Sequence, residues 1–365
     1  MLINHLTLSL LWYKGNKLKK VEENGELPWD VLDIILKELD FDDHFQFAGV
    51  CKNWRAFHEN YGRNFLASQE PLLLQISDHV EESYSFISIP DQKVYPLEMM
   101  KGFLCSCVTF SSGYFITTKS NNSFMLINPF TRIKNVINTP ISEVKSCYSI
   151  DRALLAFGKC SKEFVLVVLC EHRLHVFQSR SCGWVSYSTT GDQGRVVDFV
   201  VLHNIIYIVT HKANIGVLSL NYANIKFPKL KSTPNVTFSH CRLVNCDEQL
   251  LVVDVMFQEI RNVYKIDFST MDYVKLKTLG DIALFVGSDS DRSNCYALSN
   301  PNRWGYERNL VYVIDHLSVI CSVYSRDDKK LKKRITLLAS HGTSFLKFEW
   351  CFRHLEYNID YSLVE

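Results

Sequence analysis

"FVLVVLCEHRLHVFQ", residues 164–178, is two apolar runs rich in valine and phenylalanine, joined by the polar pair Glu171-His172. Short β-branched and aromatic runs bounded by a polar turn form the pattern of a strand hairpin. The design returns in "VVDFVVLHNIIYIVT" at 196–210, and "IGVLSLN" follows at 215–221. Further runs are "LLVVDVMF" (250–257), "VYKIDF" (263–268), "IALFVG" (282–287), "LVYVID" (310–315) and "VICSVYS" (319–325). From about residue 84 onward the chain therefore reads as all-β. Nearly 300 residues of short strands are too many for one sandwich. A loose unit of run, polar turn, run and exposed tail starts near 103, 164, 196, 250 and 310. Blades of roughly forty to fifty residues predict a β-propeller of about six blades, with seven the alternative.

One stretch near the start breaks this pattern. "LPWDVLDIILKELDFDDHFQFAGVCKNWR", residues 27–55, reads as helix, with Pro28 opening a segment over Trp29–Leu39. Asp30, Asp33, Lys37 and Glu38 make one polar stripe, and the other seven positions are apolar. A surface helix needs one apolar stripe, so this helix must be covered on two sides. Part of the cover is a second helical pattern, Phe47, Val50, Cys51 and Trp54 at i, i+3, i+4 and i+7. Asp42 or Asp43 is expected to cap it and Gly49 to divide it. Some forty residues of short helix bury too little surface to stand alone. The remaining cover comes from the rest of the chain or from a partner.

Leu27-Pro28, Leu32, Ile35-Leu36, Leu39 and the terminal Val50-Cys51-Lys52-x-Trp54-Arg55 resemble an F-box over roughly residues 24–66. In that family the module is the adhesion site for the Skp-type adaptor of a cullin-based ubiquitin ligase. The resemblance implies an adaptor face centred on Leu27, Pro28, Leu32, Ile35, Leu36 and Leu39, closed by Val50, Cys51 and Trp54. Some of these residues must instead form the module's own core, and spacing alone does not separate the two roles.

The β-region carries a second resemblance. "MLINPFTRIKNVINTP" (125–140), "CGWVSYSTTGDQGRVVDFVVLHNIIYIV" (182–209) and "LGDIALFVGSDSDRSNCYA" (279–297) are similar to plant F-box proteins with a C-terminal KIB-type domain, a β-propeller. The matching positions are Asn128-Pro129-Phe130-Thr131, Trp184, Asp198, Tyr207 and Leu279-Gly280-Asp281 through Gly287, within about 84–315. The expected architecture is an N-terminal extension (1–23), a small all-α F-box module (24–66) and a KIB-type β-propeller (67–365).

Composition narrows the function classes. With 47% hydrophobic and 22% charged residues the chain is globular. A formal net charge of +1, from 40 basic and 39 acidic residues, gives no footprint for nucleic acid or an anionic membrane. The basic run "DDKKLKKR" at 327–334 reads as a solvated hairpin tip or linker. Twelve cysteines occur without C-x-x-C pairs, mostly inside apolar runs, so they read as buried free thiols. Cys105 and Cys107 share a strand face and read as packing. The opening "MLINHLTLSLLWY" lacks the basic start and cleavage site of a signal peptide, and no apolar run reaches membrane-helix length. Cytoplasm or nucleus is the expected location, with reduced thiols.

No catalytic constellation is visible: no nucleophile elbow, phosphate-binding loop or H-E-x-x-H. His172 and His175 lie across a hairpin turn without a third ligand, and Asp289 and Asp291 lack the rest of a calcium loop. Neither a metal nor a cofactor is expected. The leading expectation is a non-catalytic substrate receptor of a Skp–cullin–F-box ubiquitin ligase, its propeller binding a target protein. Alternatives are a non-degradative interaction module using the same two surfaces, or a propeller enzyme acting on a small molecule. The target surface is placed in "NPNRWGYERN", 300–309, at Arg303, Tyr306 and Arg308, with Trp304 as a competing structural plug.

Overall fold

The computed structural model describes residues 27–39, 47, 49–58, 71–77, 83–96, 106–119, 123–128, 134–139, 150–158, 163–189, 191–234, 241–256, 259–287, 294–315, 319–337, 346–352 and 357–360. Contacts divide the chain into two compact units, 1–61 and 62–365.

In the first unit α1 spans Trp29–Glu38, and Leu39 is already extended. Pro28 precedes the helix rather than opening it: its carbonyl accepts the Val31 and Leu32 N–H groups, both at 3.1 Å. Ahead of the first turn a missing N–H costs nothing. A second helix, α2, covers 52–58. The chain breaks at Cys51 and not at Gly49, which is itself helical. The reason is a thiol cap. Cys51 Sγ accepts the Trp54 N–H at 3.4 Å, and the Cys51 carbonyl accepts the Arg55 N–H at 3.0 Å. The thiol stands where a serine or aspartate oxygen usually satisfies the first-turn amides. Asp42 and Asp43, the expected caps, lie outside the described residues.

The second unit is a set of six sheets, arranged as a six-bladed propeller. Blade 1 holds β1 (Leu72–Ser77), β2 (Ser83–Ser88) and β3 (Lys93–Pro96). Blade 2 holds β4 (Ser106–Ser111), β5 (Tyr114–Lys119), β6 (Ser123–Ile127) and β7 (Lys134–Asn138). Blade 3 is β8 (Ile150–Gly158), β9 (Phe164–Cys170), β10 (Arg173–Gln178) and β11 (Gly183–Tyr187). Blade 4 is β12 (Val196–Leu202), β13 (Ile205–Thr210), β14 (Ile215–Ser219) and β15 (Asn224–Lys226). Blade 5 is β16 (Cys241–Cys246), β17 (Gln249–Met256), β18 (Glu259–Asp267) and β19 (Asp272–Lys275).

Blade 6 departs from the simple meander. Its strands are β20 (Ile282–Val286), β21 (Cys295–Ser299), β22 (Leu310–Asp315), β23 (Ile320–Ser325) and β24 (Leu331–Thr336), in the order β21-β20-β22-β23-β24. Strand β20 pairs parallel with β22, so β21 folds back to become the inner edge. Inner-edge strands of successive blades touch one another, β4 with β8, β8 with β12, β12 with β16 and β16 with β21, and so surround the axis.

The ring is closed by the end of the chain. Strand β25 (Leu346–Cys351) pairs antiparallel with β1 from Leu72↔Cys351 to Ser77↔Leu346. A closed ring removes the two open sheet faces that terminal blades would otherwise present. Trp350 fixes the seam: it is fully buried, and its Nε1 donates to the Val286 carbonyl of blade 6 at 3.1 Å. Beyond β25, β26 (Asn358–Ile359) returns to lie parallel on the inner edge of β8.

Candidate functional site

The helical module sorts its apolar residues into two sets. Leu32, Leu36, Phe47, Trp54 and Phe57 are its core, with Leu27, Ile35 and Leu39 packed partly buried against it. The Phe47 and Trp54 rings lie 4.5 Å apart. Of the nine positions expected at the adaptor face, Leu32, Leu36 and Trp54 are thus interior. Pro28, Val50 and Cys51 are exposed. Two exposed apolar side chains were missing from that set: Trp29, 54% exposed and in edge contact with Phe57, and Ile34, 43% exposed. A helical wheel separates Ile34 from the core pair without saying which side is exposed. At 100° per residue Ile34 falls on the side away from Leu32 and Leu36.

His58 sits in this core, 2% exposed, and burial pushes its pKa down to about 4 from 6.5. The folded module therefore binds fewer protons than the unfolded one. Its stability is intact above pH 6.5 and falls as the pH drops toward 4. The loss is about 3 kcal/mol at most, from linkage. Hydrogen exchange of the α2 amides, corrected for intrinsic rate, should accelerate across that interval, and His58→Leu should flatten the dependence. A flat profile in the wild type would contradict the buried neutral imidazole.

At the propeller axis the polar residues are clasped. Asp198 on β12 pairs with Arg152 on β8, and both are buried, at 1% and 7% exposure. The same carboxylate accepts the Phe199 N–H and, across to β16, the Leu243 N–H, both at 2.8 Å. One side chain thus joins blades 3, 4 and 5. Burial alone pushes the Arg152 pKa down; the Asp198 charge and hydrogen bond outweigh it, so the net shift is upward. Asn294 and Tyr296 on blade 6 both donate to Glu349 Oε1 on β25, spanning the closing seam.

The last described segment runs along the inner edge of blade 3. Tyr357 N–H donates to Ser112 Oγ at 3.0 Å, and the Tyr357 carbonyl accepts the Phe157 N–H at 2.9 Å. Tyr357 and Ile359 are buried while Asn358 faces out, the alternation of an added strand.

Positions that carried the second resemblance form links between neighbouring blades and within blade 6. Trp184 Nε1 donates to the Asn138 carbonyl at 2.9 Å, joining β11 to β7. Leu279 N–H and Thr278 Oγ1 both bind Asn309 Oδ1, and Asn300 N–H donates to the Asp281 carbonyl, stitching the start of β20 to the β21–β22 connection. Pro129 to Thr131 lie outside the described residues, as do Cys105, Asp289 and Asp291. His175 is buried with Nδ1 2.9 Å from Ser186 Oγ, while His172 occupies the tight turn before β10 with φ +67°.

The segment 300–309 needs correction. It is the β21–β22 connection, and Pro301–Trp304 within it form a short 3-10 turn. Gly305 follows at φ +77°, where a Cβ would come within 2.7 Å of Pro90. Tyr306, expected to contact a target, is 2% exposed. Its ring packs edge-on against Phe285 and Tyr312, and its hydroxyl donates to the Pro71 carbonyl at 2.9 Å. The plug role foreseen for Trp304 belongs to Tyr306. Trp304 is half-buried, with the Arg303 guanidinium 4.9 Å above its ring. Arg303 and Arg308 remain on the surface.

Comparison with known proteins agrees with this two-part layout. The F-box domain family matches residues 25–57. Among curated proteins of Arabidopsis thaliana, the F-box/kelch-repeat protein At1g57790 is 24% identical over 306 residues, covering 79% of this chain and 82% of that one. F-box protein At3g56470 is 20% identical over 332 residues, covering 83% and 85%. The F-box/kelch-repeat protein KIB1 is 20% identical over 257 residues, covering 67% of each chain. The KIB1-4 beta-propeller family matches residues 86–333, which span all or part of all six sheets, and the chain belongs to the F-box proteins built on that propeller.

Proposed function

We propose that this chain is the substrate-recognition subunit of a Skp–cullin–F-box ubiquitin ligase. The observation that carries the reading is the F-box match at 25–57, on helices that leave Trp29, Ile34 and Val50 uncovered. Large apolar side chains concentrated on so small a module mark an interaction surface. The exposed side presents them to the Skp-type adaptor, which links the chain to a cullin. The propeller holds a target protein, and Arg303 and Arg308 are exposed on one of its connections. Ubiquitin transfer belongs to the enzyme recruited by the cullin; this chain contributes proximity and orientation. The complex works in the cytoplasm or nucleus, in keeping with free thiols at eight described cysteines, six of them buried.

The test separates contact from folding. Ile34→Asp with Val50→Asp places charge on two exposed positions without touching the core. Adaptor affinity should fall by about tenfold or more, as expected for charge in the centre of an apolar interface, with the melting temperature unchanged. Co-purification from cells should lose adaptor and cullin together. Unaltered adaptor binding in the folded double variant would refute the assignment of this face.

A further inference from the structure

One buried cation takes no part in any of these surfaces. Arg326, at the end of β23, is 6% exposed, and its Nε meets no hydrogen-bond partner. Among the described residues no carboxylate stands within ion-pair distance of it. Its backbone N–H donates to the Asn309 carbonyl at 3.2 Å. The neighbouring Asp327 carboxylate is held instead by Asn309 Nδ2 at 2.8 Å. A buried guanidinium nitrogen without an acceptor is disfavoured, and native structures rarely keep one without a reason.

Arg326 lines a cavity of about 70 Å³ between β18 and the β22–β23 pair, together with Ile260, Val311, Tyr324, Lys329 and Glu259. That volume holds several waters or one compact polyatomic anion. The surrounding chain is basic. Residues 326–334 carry Arg326, Lys329, Lys330, Lys332, Lys333 and Arg334 against Asp327 and Asp328. Lys332 faces Asp328 at 3.7 Å and Lys333 is taken by Glu307 at 2.9 Å, while Arg326 and Lys329 are the two cations that line the cavity. Burial lowers the Arg326 pKa, and the charge of the neighbouring Asp327 offsets only part of that shift.

We propose that this inter-blade cavity binds a phosphoryl oxyanion, with Arg326 as its buried partner and Lys329 as the second cation. A guanidinium offers a planar fork of donors that matches phosphate oxygens. The phosphoryl charge of about −1.5 to −2 answers two cations where a carboxylate would answer one. Glu259, exposed on the opposite wall, opposes any anion, so Arg326 and Lys329 together must outweigh it. The site stands whether or not the ligase reading holds.

The experiment uses the full chain at constant ionic strength, with inorganic phosphate, acetate and chloride compared. Phosphate should slow hydrogen exchange in the β23–β24 turn and broaden its own phosphorus resonance; acetate and chloride should not. Arg326→Gln should weaken phosphate binding by about tenfold or more, and Lys329→Ala by several-fold, as charge-assisted bonds are lost. In phosphate-free buffer Arg326→Gln should leave the melting temperature unchanged or raised, because it removes an unpaired buried charge. A lowered melting temperature there, with no phosphate response in the wild type, would mean that Arg326 closes on Glu259, and would overturn the proposal. Equal protection by acetate, or a phosphate response surviving in Arg326→Gln, would overturn it too. A phosphoserine peptide binding much more tightly than inorganic phosphate would locate the group on a partner protein. Comparable binding would identify free phosphate as the ligand.

Discussion

Replacing Leu32 and Leu36 with alanine should abolish adaptor binding by unfolding the helical module. Both side chains are fully buried in a core of five residues. Each truncation costs about 2–5 kcal/mol, from lost burial and the cavity left behind. A unit this small has only a few kcal/mol in hand, so the pair exceeds its stability. The readout is hydrogen exchange of the α1 amides together with adaptor affinity: both should collapse. This outcome differs from that of Ile34→Asp with Val50→Asp, where exchange protection persists and only affinity falls. Preserved α1 protection in the Leu32/Leu36 double variant would show that these residues are not the core.

The contrast shows what the opening stretch could and could not reveal. That α1 is apolar on more than one side was legible from seven apolar positions in eleven. Which side faces inward was not, because Leu32 and Ile34 are equivalent to any hydropathy count. The decision rests with Phe47, Trp54 and Phe57, whose placement the α1 sequence does not encode. The thiol cap at Cys51 was hidden for a related reason. Cysteine is a rare cap, and Gly49 was the more conventional break.

In the propeller the blade number was legible and the blade phase was not. Units were expected to start near 164 and 250, but those runs are β9 and β17, the second strands of blades 3 and 5. Second strands are covered on both faces and read as continuous apolar runs. The first strands line the axis and carry Arg152, Asp198 and Arg242, which interrupt the pattern. Outermost strands such as "KNVIN", "NIK" and "LKKRIT" are short and mostly exposed, so they resemble loops. The basic run at 327–334 belongs to this group: it is the β23–β24 turn and the first four residues of β24. Tyr306 was misread because its neighbours are polar and its partners, Phe285, Tyr312 and Pro71, come from distant segments.

Asp198→Ala should be the most damaging single change in the propeller. The carboxylate neutralises Arg152 and receives two backbone N–H groups, one of them from blade 5. Removing it leaves a guanidinium buried without a counter-charge, at a cost of about 3–5 kcal/mol. The orphaned Leu243 N–H adds about 1–3 kcal/mol. The urea midpoint of the β-domain should therefore drop with an unchanged slope, since the surface exposed on unfolding is the same. Asp198→Asn, which keeps an acceptor but loses the charge, should fall between alanine and wild type. The decisive variant adds Arg152→Met to Asp198→Ala. Removing both charges takes away the desolvation penalty, so the double variant should be more stable than Asp198→Ala alone. Recovery is incomplete, because Leu243 N–H still lacks its acceptor. A double variant no better than the single would mean that Asp198 acts mainly through its backbone bonds. An Asp198→Ala protein within about 1 kcal/mol of wild type would show that neither the ion pair nor those bonds hold the three blades together.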